Sequence, residues 1–174
     1  MSRILNLATY RFAHLPDAAA LRERLHARAE ALQIKGTLLL AEEGLNLSLA
    51  GPEPALRQFM AELQGDERFA ALPVKESFSS ELPFRRLRVK VKREIIRMNR
   101  PAIRPVQGRA PVVDAPTLAR WLGQGHCDEG RPVLMLDTRN GFEVDAGAFE
   151  GAVDWRLARF SDFPAALDTH RAQF

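Results

Sequence analysis

Residues 35–51, "KGTLLLAEEGLNLSLAG", carry the clearest structural signal in the N-terminal half of the chain. Two short apolar runs flank the segment "AEEG", and Gly44 can adopt the positive φ that a tight turn needs, so the pattern predicts a β-hairpin. Glu42 and Glu43 are adjacent, and neighbouring strand residues point to opposite faces, which favours a turn role over paired acid–base chemistry. Asn46 is either a polar ligand inside the strand or a partner of the hairpin backbone.

Outward from this hairpin, strands and amphipathic helices alternate. "ILNLATYRF" (4–12) predicts a first strand, and "PDAAALRERLHARAEALQI" (16–34) predicts a helix that starts at Pro16 or Asp17. "PEPALRQFMAELQ" (52–64) predicts a second helix, followed by a strand in "LPVKESFS" (72–79). The apolar helix positions are Leu21, Leu25, Ala29 and Leu32 in the first helix and Leu56, Phe59, Met60 and Leu63 in the second. The order β-α-β-β-α-β predicts a ferredoxin-like α+β domain, a four-stranded antiparallel sheet with two helices on one face.

A one-sided basic strand follows in "RRLRVKVKRE" (85–94), where apolar and cationic side chains alternate. Such a row can neutralise successive phosphates of single-stranded RNA, whereas the alternative is a solvated edge strand whose charges prevent aggregation. Base-stacking aromatic residues are largely missing from this strand, so binding through it would be directed mainly to the RNA backbone. Further arginines continue to Arg109. The candidate RNA-binding residues are Arg85, Arg86, Arg88, Lys90, Lys92 and Arg93.

Three regions are predicted along the chain: a ferredoxin-like domain over 1–95, a linker rich in proline and basic residues over 96–112, and an α/β region over 113–174. In the last region, "DAPTLARWLGQG" predicts a helix that starts at Asp114 or Thr117. "PVLMLD" (132–137) predicts an apolar strand buried in a parallel sheet.

Composition excludes several classes of protein. The 174 residues carry a net charge of +3, a single cysteine and four scattered histidines, which argues against an internal disulfide or a structural metal. No apolar run approaches the roughly 20 residues that span a bilayer, and the N-terminus lacks signal-peptide features, so a cytoplasmic protein is expected.

Cys127 lies beside His126, but sequence neighbours rarely pair as catalytic groups, and an incidental cysteine is favoured. An acylphosphatase is disfavoured because "RFAHLPDA" (11–18) has no glycine for a phosphate cradle.

Asp137 and Arg139 lie at the end of the predicted apolar strand, the edge at which open α/β sheets place their ligands. Asp137 can help to shape such a site. The favoured interpretation is structural: Asp137, Arg139 and Glu143 form partly buried ion pairs and caps that hold the loop.

Two resemblances follow from these motifs. "VLMLDTRNGFEV" (133–144) with "GAFEGAV" (147–153) resembles the first half of a rhodanese domain, in which a strand ending in Asp-x-Arg leads to an aromatic–Glu pair and a glycine-rich turn. "GTLLLAEEGLN", "LRVKVKREI" and "LDTRNGFEV", in this order, resemble the bacterial tRNA uridine hydroxylase family, TrhO, over nearly the whole chain. Their joint order is much more specific than any one motif.

The resemblance implies a ferredoxin-like domain followed by a rhodanese domain, here partial over 113–174, that acts on tRNA. Family members perform 5-hydroxylation of the wobble uridine with molecular oxygen as co-substrate; no other cofactor can be assigned. Asp137, Arg139 and Glu143 would support the rhodanese loop. The family's essential cysteine lies in a Cys-x-Gly-Gly-x-Arg-Cys loop, which is expected beyond Phe174, so the 174 residues alone are expected to be inactive.

Two alternatives remain open at this stage. A non-catalytic RNA-binding module would explain the basic strand without a nucleophile, and a rhodanese-type sulfurtransferase would need only a downstream cysteine loop. If the central strand of the rhodanese sheet is missing, residues beyond about Ala110 are expected to be loosely held, cleaved from a longer chain, or completed by another molecule.

Overall fold

The computed structural model describes residues 3–100, 102–108 and 110–173. The predictions that involve Pro101 and Arg109 in the linker, and Phe174 at the end, therefore lie outside the described residues. The chain forms two compact units. Among the described residues, the first unit contains 3–96 and 102–108, and the second contains 97–100 and 110–173.

The first unit is an α+β domain built on one five-stranded sheet. Its elements are β1 (Ile4–Phe12), α1 (Ala18–Ala31), β2 (Lys35–Ala41), β3 (Gly44–Pro52), α2 (Glu53–Gln64), a 3-10 turn (Glu67–Phe69), β4 (Lys75–Ser79) and β5 (Leu87–Val91). The strand order is β4-β1-β3-β2-β5. The first four strands are antiparallel, as the βαββαβ pattern predicts, whereas β5 pairs with β2 in parallel. The predicted four-stranded sheet is thus one strand too small, because the basic strand joins its edge.

The helices bury all but one of the apolar positions that their spacing predicts; Leu32 follows the last residue of α1 and is only partly buried. Leu21, Leu25 and Ala29 of α1 are buried, and so is the whole predicted stripe of α2. These side chains form one core with alternate residues of β1, β2 and β3 and with Val89 of β5. Burial of this continuous apolar face is the main term that stabilises the unit.

Gly44 allows the hairpin between β2 and β3 to lie against β1. Glu42 and Glu43 form a two-residue loop, since Ala41 pairs with Gly44. Gly44 has φ of +151°, and a Cβ atom there would lie 2.1 Å from the carbonyl oxygen of Arg11. Only glycine fits both the backbone angle and this close approach of β1.

The second unit has short elements and little buried surface. They are α3 (Ala115–Gln124), β6 (Leu136–Asp137), α4 (Gly141–Asp145), β7 (Val153–Asp154), a 3-10 turn (Phe160–Asp162), α5 (Phe163–His170) and a final 3-10 turn (Arg171–Gln173). β6 and β7 pair in parallel, and none of the three α-helices buries a residue. The long buried strand predicted over 132–137 is wrong: its regular part is two residues long, and Leu134 is 50% exposed. Within the described residues this sheet has only two strands, so little covers its apolar side chains.

Helix starts differ in how well the sequence predicts them. Asp114 caps α3 as predicted, and its carboxylate accepts hydrogen bonds from the Thr117 backbone N–H at 2.8 Å and hydroxyl at 3.0 Å. Asp17 precedes α1, but its carboxylate makes no capping bond and binds the Arg68 guanidinium instead.

In the part of the chain that the structure describes, no helix is long and apolar enough to cross a membrane.

Candidate nucleic-acid interface

The sheet of the first unit has a helix-covered face and an open face. On β2, Leu38 and Leu40 belong to the core, whereas Thr37 and Leu39 alternate with them and stay partly exposed. On β5, Val89 faces the core beside α1. By the same alternation, Arg88 and Lys90 lie on the open face.

The strand register places these cations in rows that cross the open face. Arg88 is aligned with Thr37 of β2, and Lys90 is aligned with Leu39. Arg86 and Lys92 flank β5 with the same alternation, so four cations share this face along the strand. Side chains two residues apart on a strand are about 6.8 Å apart, a spacing at which they can contact successive phosphates.

All six predicted RNA-binding cations are exposed and carry free charges. Arg85, Arg86, Arg88, Lys90, Lys92 and Arg93 are each exposed. No ion pair joins any of them to another described residue. The helix-covered side differs, since Arg28 binds Glu62 there, and Arg57 bridges Glu53 and Glu76.

The outer edge of β5 is partly capped by α1. The Nε of Arg22 donates a hydrogen bond to the Val89 carbonyl oxygen at 3.2 Å. An edge carbonyl that is satisfied in this way cannot pair with another strand. Arg22 thus supplies edge protection at this one carbonyl group.

The segment after β5, residues 92–96, is a strap that the hairpin anchors. The Ile95 backbone N–H donates to the Glu43 carboxylate at 2.7 Å, and the Asn46 side-chain amide donates to the Ile95 carbonyl oxygen at 3.1 Å. Ile95 itself is 2% exposed. Both hairpin side chains therefore fix the basic segment by its main chain, a role that the sequence did not reveal.

Two aromatic residues that the sequence analysis did not assign lie on the open face. Tyr10 and Phe12 alternate with core residues of β1, and their ring centroids are 5.8 Å apart in an edge-to-face arrangement. The register aligns Tyr10 with Asn46, Leu39 and Lys90 across four strands. The signal that could have found them is their two-residue spacing in "TYRF".

The loop after β1 does not offer a phosphate cradle. The backbone N–H of Ala13 donates to the Glu43 carbonyl oxygen at 2.9 Å, and that of Leu15 donates to the Glu42 carbonyl oxygen at 2.8 Å. A cradle needs several free N–H groups that converge on one anion. This geometry agrees with the sequence-based expectation that the protein is not an acylphosphatase.

In the second unit, Asp137, Arg139 and Glu143 hold the turn after β6. Asp137 and Arg139 form an ion pair at 2.6 Å in which the carboxylate is 9% exposed, and the Arg139 guanidinium holds the pKa of Asp137 below its usual value. Arg139 also donates to the Gly147 carbonyl oxygen at 2.7 Å. The Glu143 carboxylate accepts from the Asn140 backbone N–H at 3.1 Å and caps α4. The three residues thus organise one loop.

Cys127 is buried in a turn between α3 and β6. Burial by itself raises the pKa of its thiol, but hydrogen bonds from the backbone at Glu129 and Arg131, together with the Arg131 charge, outweigh this and lower it. The imidazole Nδ1 of His126 lies 3.1 Å from the Cys127 carbonyl oxygen, so the ring contacts the main chain. This does not resemble a Cys–His catalytic pair.

A family model agrees with the fold of the first unit. A family model described as the UPF0176 acylphosphatase like domain matches residues 4–95. The class of protein is therefore defined by an acylphosphatase-like α+β domain. A solved acylphosphatase from Coxiella burnetii is similar over 52% of this chain and 94% of its own, at 16% identity and a TM-score of 0.37.

Curated relatives extend the match over the whole chain. The tRNA uridine(34) hydroxylase of Delftia acidovorans is 60% identical over 173 residues, covering 99% of this chain and 66% of the relative. That of Bordetella avium is 59% identical over 170 residues, covering 98% of this chain and 70% of the relative. The chain belongs to the UPF0176 family, together with these tRNA uridine(34) hydroxylases. It spans about two thirds of the length of the curated relatives that it matches.

Proposed function

We propose that the protein acts in tRNA modification, as a hydroxylase of the wobble uridine. The observation that carries this proposal is the 60% identity, along nearly the whole chain, to proteins named tRNA uridine(34) hydroxylase. The reaction is oxygen-dependent 5-hydroxylation, with molecular oxygen as co-substrate. A tRNA substrate also favours the cytoplasm as the location of the protein.

The first unit binds the tRNA through the six cations of the basic strand. Their exposure and lack of ion-pair partners among the described residues leave their charge available to phosphates. The hairpin anchors the strap, which directly follows β5. Because the strap is already restrained, less conformational entropy is lost when RNA binds. Phosphate contacts of this kind fix the position of the RNA and do not read its sequence.

The second unit is the first half of a rhodanese domain. This assignment is supported by the β6-α4-β7 arrangement with parallel strands and by the loop that Asp137, Arg139 and Glu143 organise. In a rhodanese domain such a loop lies at the carboxyl edge of the sheet, where open α/β folds bind ligands. The three residues position this loop and do not take part in chemistry.

The catalytic cysteine is supplied from outside the 174 residues. Cys127 is buried and is not part of a Cys-x-Gly-Gly-x-Arg-Cys loop. In a rhodanese loop, converging backbone N–H groups stabilise a thiolate or persulfide. The 174 residues alone are therefore inactive as a hydroxylase.

Hydroxylation in cells tests the function. A bacterial strain unable to hydroxylate uridine 34 would express this chain alone, or the chain continued by the remaining segment of the Delftia acidovorans relative. Mass spectrometry of digested tRNA would then quantify 5-hydroxyuridine derivatives at position 34. We expect modification only with the longer protein, and none when the cysteine of its added loop is replaced by serine.

Each other result overturns a defined part of the proposal. If the longer protein is folded and uridine 34 stays unmodified, the proposed hydroxylase activity is wrong. If the 174 residues alone modify uridine 34, the proposal that the catalytic cysteine lies outside them is wrong. The second candidate is a non-catalytic RNA-binding module, and the exposed cations of the basic strand are the observation that favours it. It predicts tRNA binding without modification by either protein.

A further inference from the structure

Tyr10 stands out because its exposed ring lies on the same face of the sheet as the cations of the basic strand. The side chain is 46% exposed and lies near the end of β1, beyond the residues of β1 that pair with β4. Its phenolic hydroxyl has no hydrogen-bond partner among the described residues. A large ring in this setting is available to contact a ligand.

Phe12 restrains the orientation of this ring. The two rings meet edge to face, with an interplanar angle of 72°. Because they are two residues apart on one strand, the backbone also fixes their separation. A restrained ring loses little conformational entropy when a ligand stacks on it.

The distance from this ring to the cations suits a short piece of single-stranded RNA. Tyr10 and Lys90 lie in one row with Asn46 and Leu39 between them. Three strand spacings of roughly 4.8 Å separate their Cα atoms by about 14 Å, and both side chains are long. A single strand that passes over the strap at Asn46 and Ile95 spans this distance when a base lies on the ring and a phosphate lies at the ammonium group.

We propose that Tyr10 is a stacking residue that holds one unpaired base of the RNA, while the cations of the basic strand bind the adjoining phosphates. The inference rests on the proposed tRNA function and narrows it to a single-stranded part of the RNA. A base inside a duplex is stacked on both sides, so its face is not accessible to Tyr10. The Asn46 amide is committed to Ile95, and stacking contributes little sequence preference.

Affinity for two RNA probes tests the proposal. The probes are a short oligouridylate and the same strand annealed to oligoadenylate, titrated onto the full chain, Tyr10→Ala and Tyr10→Phe. We expect Tyr10→Ala to bind the single strand roughly five- to a hundredfold more weakly, and the duplex as tightly as the unmodified chain does. Tyr10→Phe should bind both probes like the unmodified chain, because it keeps the ring. Phe142→Ala, which removes a 73% exposed ring from the second unit, is the matched control.

The outcomes separate this inference from the proposed function. If the unmodified chain binds neither probe, RNA binding by the first unit is wrong, and stacking is wrong with it. If that chain binds RNA with a steep salt dependence and Tyr10→Ala binds the single strand equally well, only the stacking role is wrong. Equal losses for single strand and duplex, or an equal loss in Tyr10→Phe, would also overturn it.

A second measurement covers the case in which Tyr10→Ala does not fold. Tyr10 is the only tyrosine in the chain, so tyrosine-specific nitration reports on this one ring. We expect the oligouridylate, but not the duplex, to protect the ring of the unmodified protein from nitration. Nitration at an unchanged rate with saturating oligouridylate would overturn the stacking role.

Discussion

At the scale of single residues, Ile95 shows how one buried backbone group organises a functional segment. Its N–H and carbonyl groups are both bound by hairpin side chains, Glu43 and Asn46. A buried backbone group that loses its partner destabilises the fold more than a typical hydrogen bond stabilises it. The strap is therefore as well anchored as a short strand.

Removing the Asn46 amide tests this anchor. We expect Asn46→Ala to lower the free energy of unfolding by about 1–3 kcal/mol, because the carbonyl of the 2% exposed Ile95 loses its donor. Urea denaturation measures the change. Ser48→Ala is the control, since Ser48 is exposed on the same strand. Equal stabilities of the two variants would show that the anchor is not needed.

Arg68 joins the start of α1 to the turn after α2. Its guanidinium binds Asp66 at 2.7 Å and also binds the Asp17 carboxylate. These hydrogen bonds lower the pKa of both aspartates. The aspartate that the sequence assigns to a helix cap is thus part of an ion-pair network.

The network predicts a dependence of stability on pH. Since the folded-state pKa values are lowered, the stabilisation is fully present above the unfolded value of about 3.9 and is lost as the pH falls through the folded values. Urea midpoints should therefore drop more steeply below about pH 4 for the unmodified protein than for Arg68→Met. Lys75→Met, which changes an exposed cation on β4, should follow the unmodified protein. Parallel curves for Arg68→Met and the unmodified protein would contradict this role.

At the scale of elements, the hairpin is the part on which the first unit depends most. β3 lies between β1 and β2, and the loop joining β2 and β3 binds the chain after β1 and the strap. A change in its geometry would therefore disturb three separate segments.

Gly44→Ala tests the hairpin. The added Cβ atom would lie 2.1 Å from the Arg11 carbonyl oxygen at a φ of +151°, so we expect a loss of at least about 2 kcal/mol of stability. Thermal unfolding measures the loss. Gly108→Ala is the matched control, because its Cβ atom would meet nothing within 4 Å. A change of similar size in both variants would show that β1 can move away.

The basic strand is a second element whose role can be measured separately. Arg88→Ser removes one open-face cation, whereas Arg24→Ser removes an exposed cation from α1. The logarithm of tRNA affinity should fall with the logarithm of salt concentration, and Arg88→Ser should reduce this slope by about 0.7 per lost phosphate contact. Arg24→Ser should leave the slope unchanged. Identical slopes for all three proteins would place the RNA elsewhere.

At the scale of the whole molecule, the two units differ in the size of their cores. The first unit has one continuous core, whereas in the second only Cys127 and Leu157 are buried among the described apolar residues. Trp155 stacks on Phe163 at 5.9 Å, but both side chains remain partly exposed. Backbone groups with little apolar cover open at a lower free energy.

Hydrogen exchange should therefore separate the units. We expect amides of β1, β2 and β3 to exchange only on global unfolding, and amides of α3, α4 and α5 to exchange by local opening with much lower protection. Mass spectrometry of peptides from a proven monomer measures this. Equal protection in both units would contradict the difference that burial predicts.

Much of the element order could be predicted from the sequence because its signals are local. Two apolar runs around a turn predicted β2 and β3, alternation with a period of two predicted β5, and apolar spacing predicted the buried faces of α1 and α2. The capping of α3 by Asp114 is likewise a short-range pattern. The cationic face of β5 followed from the same alternation.

Local patterns do not predict how these segments meet. The parallel pairing of β5 with β2, the anchoring of Ile95 by the hairpin and the alignment of Tyr10 with Lys90 all join residues far apart in the chain. Periodicity determines which face of a segment is buried, but strand order and long-range hydrogen bonds depend on how the chain returns across the sheet. The charge and burial of the basic strand therefore follow from local sequence, whereas its position on the same face as an exposed aromatic ring follows from the order of the strands.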